Sequence, residues 1–562
     1  MNNRYTKTLL LGALALTLGI NSGCESNIDL EPEGFISVDN YFKSADDYQK
    51  SLNALYYRFC YGDNDLWIDG VTDNGTVTHS WNRGYDFSRG FATSSSAFAQ
   101  YKWGDGYVGI NRANTVINNI DNYAWPGGES NAERNRILGE AIVVRDYIYM
   151  ELAALYGRIM FYTVNPETVA DSKEVKQTDG PKEVFDFILD DLKTAIAGLP
   201  QTPANKSMVS KPAARLLRAR CAAYAAGYLN DNSYFNITLE ETKELLANAP
   251  KLADFGKLFR TGCQNEDEVI LVKDFNEDSK NWWGQWYNQS LGGYCVTTPL
   301  KSLADAFEYL GGERNDDMPY LNKDPRFYET MYAPGSDLRG RYFNSIPNNV
   351  EQKADGKWYF KSTGDYGSMQ DKTVIIGDVL SEGGGGEWNK TQTGLTWKKY
   401  FAEDETWSTW NPFVVFRYAE AYLLRAEALV ETGGSTEEAK SLVKVIRDRA
   451  GNTNDIDWAV ANLYNGSLRD LIRNERRVEF AQEGLRLYDI RRWGIMLDVM
   501  NKPMEGIEYN EYDANGQKTG KRIVLQVPGG ERGTFTQKDY WWPIPQAEMD
   551  LNPGILTQND QW

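Results

Sequence analysis

Nine charged side chains crowd among apolar ones in the 21 residues Asn474–Gly494, NERRVEFAQEGLRLYDIRRWG. A solvated helix is rarely so rich in arginine, and an ordinary core helix is rarely so charged. A chain with this stretch must therefore fold around paired ions. Val478, Ala481, Leu485 and Tyr488 recur at steps of three and four, the spacing of a buried helical stripe. Glu483 with Arg486, and Asp489 with Arg492, stand three apart and are expected to pair. Gly484 is expected to end a first helix, because glycine tolerates the left-handed backbone just past a helix end. The stretch reads as an ion-paired helix hairpin, not as a catalytic motif.

The rest of the composition excludes several chemistries. The 562 residues carry a net charge of −19, which argues against nucleic acid and against charge-driven binding to anionic lipid. The single histidine, His79, lies in a polar loop, so no histidine metal cluster or Ser-His-Asp triad is signalled. His79 reads as a solvated loop residue. The cysteines Cys24, Cys60, Cys221, Cys263 and Cys295 form no CxxC pair, and the sequence cannot choose a disulfide among the last four. Aromatic residues reach 13% of the chain, with 17 Trp, and supply stacking surface for a dense core or for flat ligands such as sugar rings.

Residues 1–23 read as a processed signal. Arg4 and Lys7 precede the apolar run Leu9–Ile20, which is too short to span a bilayer. Small residues then lead to Cys24, in a pattern that resembles a bacterial lipoprotein signal, although Asn21 stands where that pattern prefers Leu. Cys24 is expected to carry lipid. Residues 24–38, acidic and containing Pro32 and Gly34, are expected to form an extended tether. The body is then held to a membrane by lipid rather than by a span.

Helical periodicity marks Ala45–Tyr57, Glu133–Tyr156, the segment opened by Pro181 and closed by Pro200, Pro212–Leu229, Phe413–Glu431 and Thr436–Ala450. Paired helices with small residues at their contacts suggest tetratricopeptide-like units, though without a regular period. Two stretches near 62–107 and 261–410 interrupt them as long loop regions rich in Gly, Asn, Asp and aromatics. Residues 39–562 are expected to form one mainly all-α domain with those insertions.

Several blocks together resemble the SusD/RagB family of outer-membrane nutrient-binding lipoproteins. They are Asp39–Phe42 with Ser51–Tyr56, Gly139–Gly157, Val184–Pro200, Ser210–Tyr224, Asp324–Phe327, Phe416–Glu420, Asn474–Gly494, and the ending from Trp542-Pro543-Ile544-Pro545 to Asn559. At Asp560-Gln561-Trp562 the chain departs from the family's usual ending. The resemblance implies an all-α scaffold of four tetratricopeptide-like helix pairs with long irregular loops and short strands. It also implies a surface lipoprotein that delivers oligosaccharide, or in some members peptide, to a SusC-like TonB-dependent transporter, without catalysis.

Sugar recognition requires an aromatic plane for the ring face and amides or carboxylates for the hydroxyls. Two clusters supply both: Asp63, Asp65, Trp67, Asp73, Asn74 and Trp81 in the first loop region, and Trp283, Trp286 and Tyr294 in the second. Trp81, flanked by polar residues, is the favoured platform. Trp283 and Trp286 cannot share one strand face. Asp63, Asp65 and Asp69 lack the spacing of an EF-hand calcium loop, so no metal or cofactor is expected. A surface glycoside hydrolase and a peptide-binding importer subunit are the alternative readings.

Overall fold

Helices α1 (Ala45–Tyr56), α2 (Ala97–Asn118), α3 (Ala132–Tyr156), α4 (Lys182–Gly198), α5 (Lys211–Tyr228) and α6 (Phe235–Leu246) follow one another along the chain. After an insertion come α7 (Tyr418–Glu431), α8 (Thr436–Ala450), α9 (Leu468–Glu479) and α10 (Arg486–Arg492). This computed structural model describes residues 41–59, 68–276, 278, 280–281, 283–380, 389–401, 410–513, 515, 517–527 and 531–562. Cys24, Cys60, Asp63, Asp65 and Trp67 lie outside the described residues.

Consecutive helices pack side by side from α2 to α8, and α6 meets α7 across the insertion. The successive pairs are α2/α3, α4/α5 and α6/α7, and α8 and α9 each pack on α7. The fold is mainly helical, as expected. Helix α3 is its axis. The Asn131 side chain caps it by accepting from Arg134 N at 2.9 Å. Its stripe Ile137, Ala141, Val144, Ile148, Leu152 and Leu155 is buried. Nearly every other face is buried too, because α1, α2, α4 and α5 all pack on it.

Two expectations are corrected. Helix α2 begins inside the first expected loop region, at Ala97. Its glycines lower helix propensity but allow close approach to α3: a Cβ at Gly109 would stand 2.5 Å from Ile148 Cδ1. Packing outweighs propensity there. Phe413–Arg417 is not the start of a helix but a strand, pairing antiparallel with Val269–Lys273. Its Phe-Val-Val-Phe run suits a strand buried on both faces.

The two halves of the Asn474–Gly494 stretch are separate helices, α9 and α10, with Gly484 at φ +81° between them. The stripe Val478, Ala481, Leu485 and Tyr488 is buried. Asp489 pairs with Arg492 at 2.9 Å as expected, but Glu483 and Arg486 do not pair with each other. Glu483 instead accepts from Lys399 and Arg417, and Arg486 reaches Asp73. The cause is that Gly484 turns the chain, so Glu483 and Arg486 no longer share a helix face. Arg417 also binds Glu268 and Glu479, while Arg326 joins Asp324, Glu475 and Glu479. Burial opposes the charge on Glu479, yet Arg449, Arg417 and Arg326 hold its carboxyl well below the usual range. The junction thus ties the last scaffold helices to strand Phe413–Arg417 and to the turn at Asp324.

Candidate functional site

The strand Gly75–Val77 (β1) pairs antiparallel with Thr297–Pro299 (β2), with Val77 opposite Thr297. Gly75 lets this ladder pack closely, since a Cβ there would approach Thr298 O to 3.0 Å. The pairing continues one residue further: Thr78 N donates to Val296 O at 2.9 Å and Thr78 Oγ1 to Cys295 O at 2.6 Å. Thr78 and Cys295 are 217 residues apart in the chain. The ladder therefore delivers the segments just beyond it, His79–Trp81 from the first loop region and Tyr294 from the second, to one end. Both aromatics are open to solvent there, Trp81 at 54% and Tyr294 at 39%.

The surroundings of this end are rigidly built. His79 Nδ1 lies 2.7 Å from Thr78 Oγ1, and the imidazole meets the Trp81 ring edge-on at 5.4 Å. Burial lowers the His79 pKa, opposed by a hydrogen bond with the Asn389 side chain. His79 is thus half-buried beside the platform rather than solvated, which corrects the expectation for it. On the other side, Asp378 accepts from the backbone N of Gln289 and Ser290, each at 3.1 Å, and so fixes the turn that leads to Tyr294. Gly293 closes that turn, where a Cβ would lie 2.1 Å from Tyr287 O. The Gln392 side chain reaches Thr78 O at 3.5 Å. Asn389, Gln392 and Asp378 were not legible as site residues, because no motif links them to Trp81 or Tyr294.

Other expected ligand residues are spent elsewhere. Asp73 is buried and forms a two-point ion pair with Arg486, both contacts 2.8 Å, and a further pair with Arg477 at 3.0 Å. Burial opposes its charge, but Arg477 and Arg486 hold its carboxyl far below the ordinary range. Asn74 is buried between Asp69 and Arg477 Nε. Both residues anchor the first loop region to α9 and α10 instead of facing solvent. Asp69, part of the calcium reading, is fully buried and accepts from Gln482 N; burial pushes its carboxyl up to about 6. Trp283 and Trp286 are 1% and 2% exposed. Trp283 packs edge-on against Phe275 and Tyr400, so it pins the insertion to the core and offers no open face. Cys221, Cys263 and Cys295 are buried free thiols. Among the described residues, no helix is long and apolar enough to cross a membrane.

The comparisons with known proteins agree on one family. A family model described as the SusD family matches residues 266–562, and one described as "Starch-binding associating with outer membrane" matches residues 38–225. SusD-like protein P25 of Formosa agariphila is 24% identical, over 95% of each chain. A SusD-like protein of Bacteroides ovatus is 22% identical over 98% of this chain and 96% of its own. In structure, a SusD-like carbohydrate binding protein from Bacteroides fragilis superposes with a TM-score of 0.73 at 21% identity, covering 92% of this chain and 100% of its own. Surface glycan-binding protein A from Bacteroides thetaiotaomicron, solved in complex with laminarihexaose, gives a TM-score of 0.63 at 19% identity, covering 92% and 99%. With a SusD family model spanning more than half of its length, the chain belongs to the SusD family.

Proposed function

We propose that the protein is a surface-exposed, lipid-anchored glycan-binding protein that captures oligosaccharide and delivers it to a partner SusC-like TonB-dependent outer-membrane transporter, without catalysis. One observation carries the binding reading: the β1–β2 ladder brings the exposed rings of Trp81 and Tyr294, from distant parts of the chain, to the same end. Two aromatic rings beside an imidazole and side-chain amides supply both the stacking surface and the hydrogen-bonding groups that a sugar requires. Family membership supports the same reading, as does the laminarihexaose bound to a structural neighbour. Asp73 and Asp378, one carboxylate from each loop region, are committed to arginines and to backbone N–H groups, so neither is free to act in hydrolysis. Cys24 is the lipid-anchor residue in this reading, and Trp67, Asp63 and Asp65 are further candidates for ligand contact.

The test is calorimetric titration of the soluble chain from residue 25 with a panel of neutral oligosaccharides, alongside an assay for released reducing ends. Binding without release supports the proposal. Release of reducing ends favours the hydrolase reading, and binding of peptides but no oligosaccharide favours a peptide importer subunit. Loss of radiolabelled palmitate incorporation in Cys24→Ala tests the anchor.

A further inference from the structure

A recess lies between α2, the segment 160–175 and the short helix Gln546–Leu551. Its volume is about 260 Å³. That is below the roughly 300–1,000 Å³ of pockets that enclose drug-sized ligands, so it suits a head group or a single side chain. Its wall is aromatic. Tyr107 and Tyr162 lie nearly parallel, at 17° with centroids 6.0 Å apart, and Trp103 meets Tyr107 at 5.1 Å. Both phenol hydroxyls are already used, Tyr107 donating to Met160 O and Tyr162 to Asn111 Oδ1, each at 2.7 Å. Ring faces, not hydroxyls, remain for a ligand.

A carboxylate completes the recess. Glu548 lines it, and burial alone acts on its carboxyl, raising its pKa. No lysine, arginine or hydrogen-bond donor holds that carboxylate among the described residues. Burial is the main cause of the raised phenol pKa at Tyr107 and Tyr162, and the Glu548 charge adds to both, which puts it within electrostatic reach of the two rings. Aromatic rings and a carboxylate without a cationic partner, lining one small volume, are the two components of an organic-cation site. An anion is repelled by this combination, and a neutral sugar gains no charge pairing from it.

We propose that the recess bounded by Trp103, Tyr107, Tyr162 and Glu548 binds an alkylammonium group. The cation rests against the ring faces and pairs with the Glu548 carboxylate. This site is independent of the ladder end at Trp81 and does not rest on the glycan reading.

The test is titration of the soluble chain with choline and with its neutral isostere 3,3-dimethyl-1-butanol, followed by ligand-observed NMR. Choline is expected to bind at least tenfold more tightly. Nα-acetyl-lysine amide and glucosamine serve as further arms, and preference for the former points to a lysine of a partner polypeptide, preference for the latter to a free amino sugar. Glu548→Gln should remove the preference for the charged ligand. Gly104 lines the recess, and a Cβ there meets nothing within 4 Å, so Gly104→Leu should block binding without disturbing the helix. Equal binding of choline and its isostere, unchanged binding in either variant, or no binding of any cation overturns the proposal. Oligosaccharide binding, read in the same samples, should stay unchanged in both variants, which keeps the two sites distinguishable.

Discussion

The junction built by Asn474–Gly494 and the ladder end at Trp81 and Tyr294 use conspicuous residues in opposite ways. In the junction, arginines and carboxylates turn inward and neutralise one another: Arg417 alone contacts Glu268, Glu479 and Glu483. At the ladder end the aromatics turn outward, held by short backbone pairings and by Asp378. The charged side chains that look chemically active in the sequence are thus structural ones, whereas Trp81 and Tyr294 stay exposed. Asp73 shows the difference within one loop region. It lies two residues before β1, yet it belongs to the ion-paired junction through Arg486.

The largest expected effect separates the two regions by stability. Arg417→Met leaves three buried carboxylates short of their shared cation and is expected to cost about 3–5 kcal/mol in denaturant unfolding. Oligosaccharide affinity of the folded protein should not change. Trp283→Ala is expected to cost a similar amount, about 3–5 kcal/mol, through loss of core packing. If instead it leaves stability intact and weakens binding, Trp283 belongs with the platform and the comparison breaks.

A pH titration sharpens the same contrast. Burial opposes the charge on Glu308, but Arg447, Asn454 and Tyr464 lower its carboxyl to about 2. Its folded pKa lies below the unfolded value of 4.5. The unfolded state therefore binds more protons between pH 4.5 and about 2, and the stabilisation present above pH 4.5 is lost as the pH falls through that window. Its size is about 3 kcal/mol. Between pH 6 and pH 3 about 2 kcal/mol of it should be lost, and Glu308→Gln should flatten the stability profile by that amount over this range.

At the ladder end the effects are smaller in energy but specific to ligand. Trp81→Ala is expected to weaken oligosaccharide binding at least tenfold, about 1.4 kcal/mol, while unfolding stability stays within about 0.5 kcal/mol of the parent. Tyr294→Ala, which removes the less exposed ring, is expected to weaken binding by about three- to fivefold, or less than about 1 kcal/mol. A Trp81 variant that binds normally would move the platform to residues such as Trp67.

Much of the scaffold was legible from periodicity. Helices α1, α3, α4, α5 and α8 begin and end within two residues of their expected positions, because their apolar stripes repeat at helical steps and, in α3, α4 and α8, end at Gly or Pro. Helix α2 was not legible, since its glycines weaken a local signal that only contact with α3 compensates. The run Phe413–Arg417 read as the start of a helix and is a strand, because Val269–Lys273 supplies a pairing edge that no local pattern shows. The candidate site was legible in part: Trp81 and Tyr294 were singled out, but so were Asp73, Asn74, Trp283 and Trp286, which the structure buries.

The sequence by itself determined the helical class, the family, and the need to pair buried ions. These follow from local periodicity, from residue types in a fixed order, and from the cost of burying an unpaired charge. The tertiary structure alone decided which partner each charge takes and which aromatics face solvent. Glu483 pairs with Lys399 and Arg417 rather than with its neighbour Arg486, and Trp81 meets the segment of Tyr294 through a ladder spanning 217 residues. Pairing and exposure are set by contacts between distant segments, and no local pattern in a chain carries those distances.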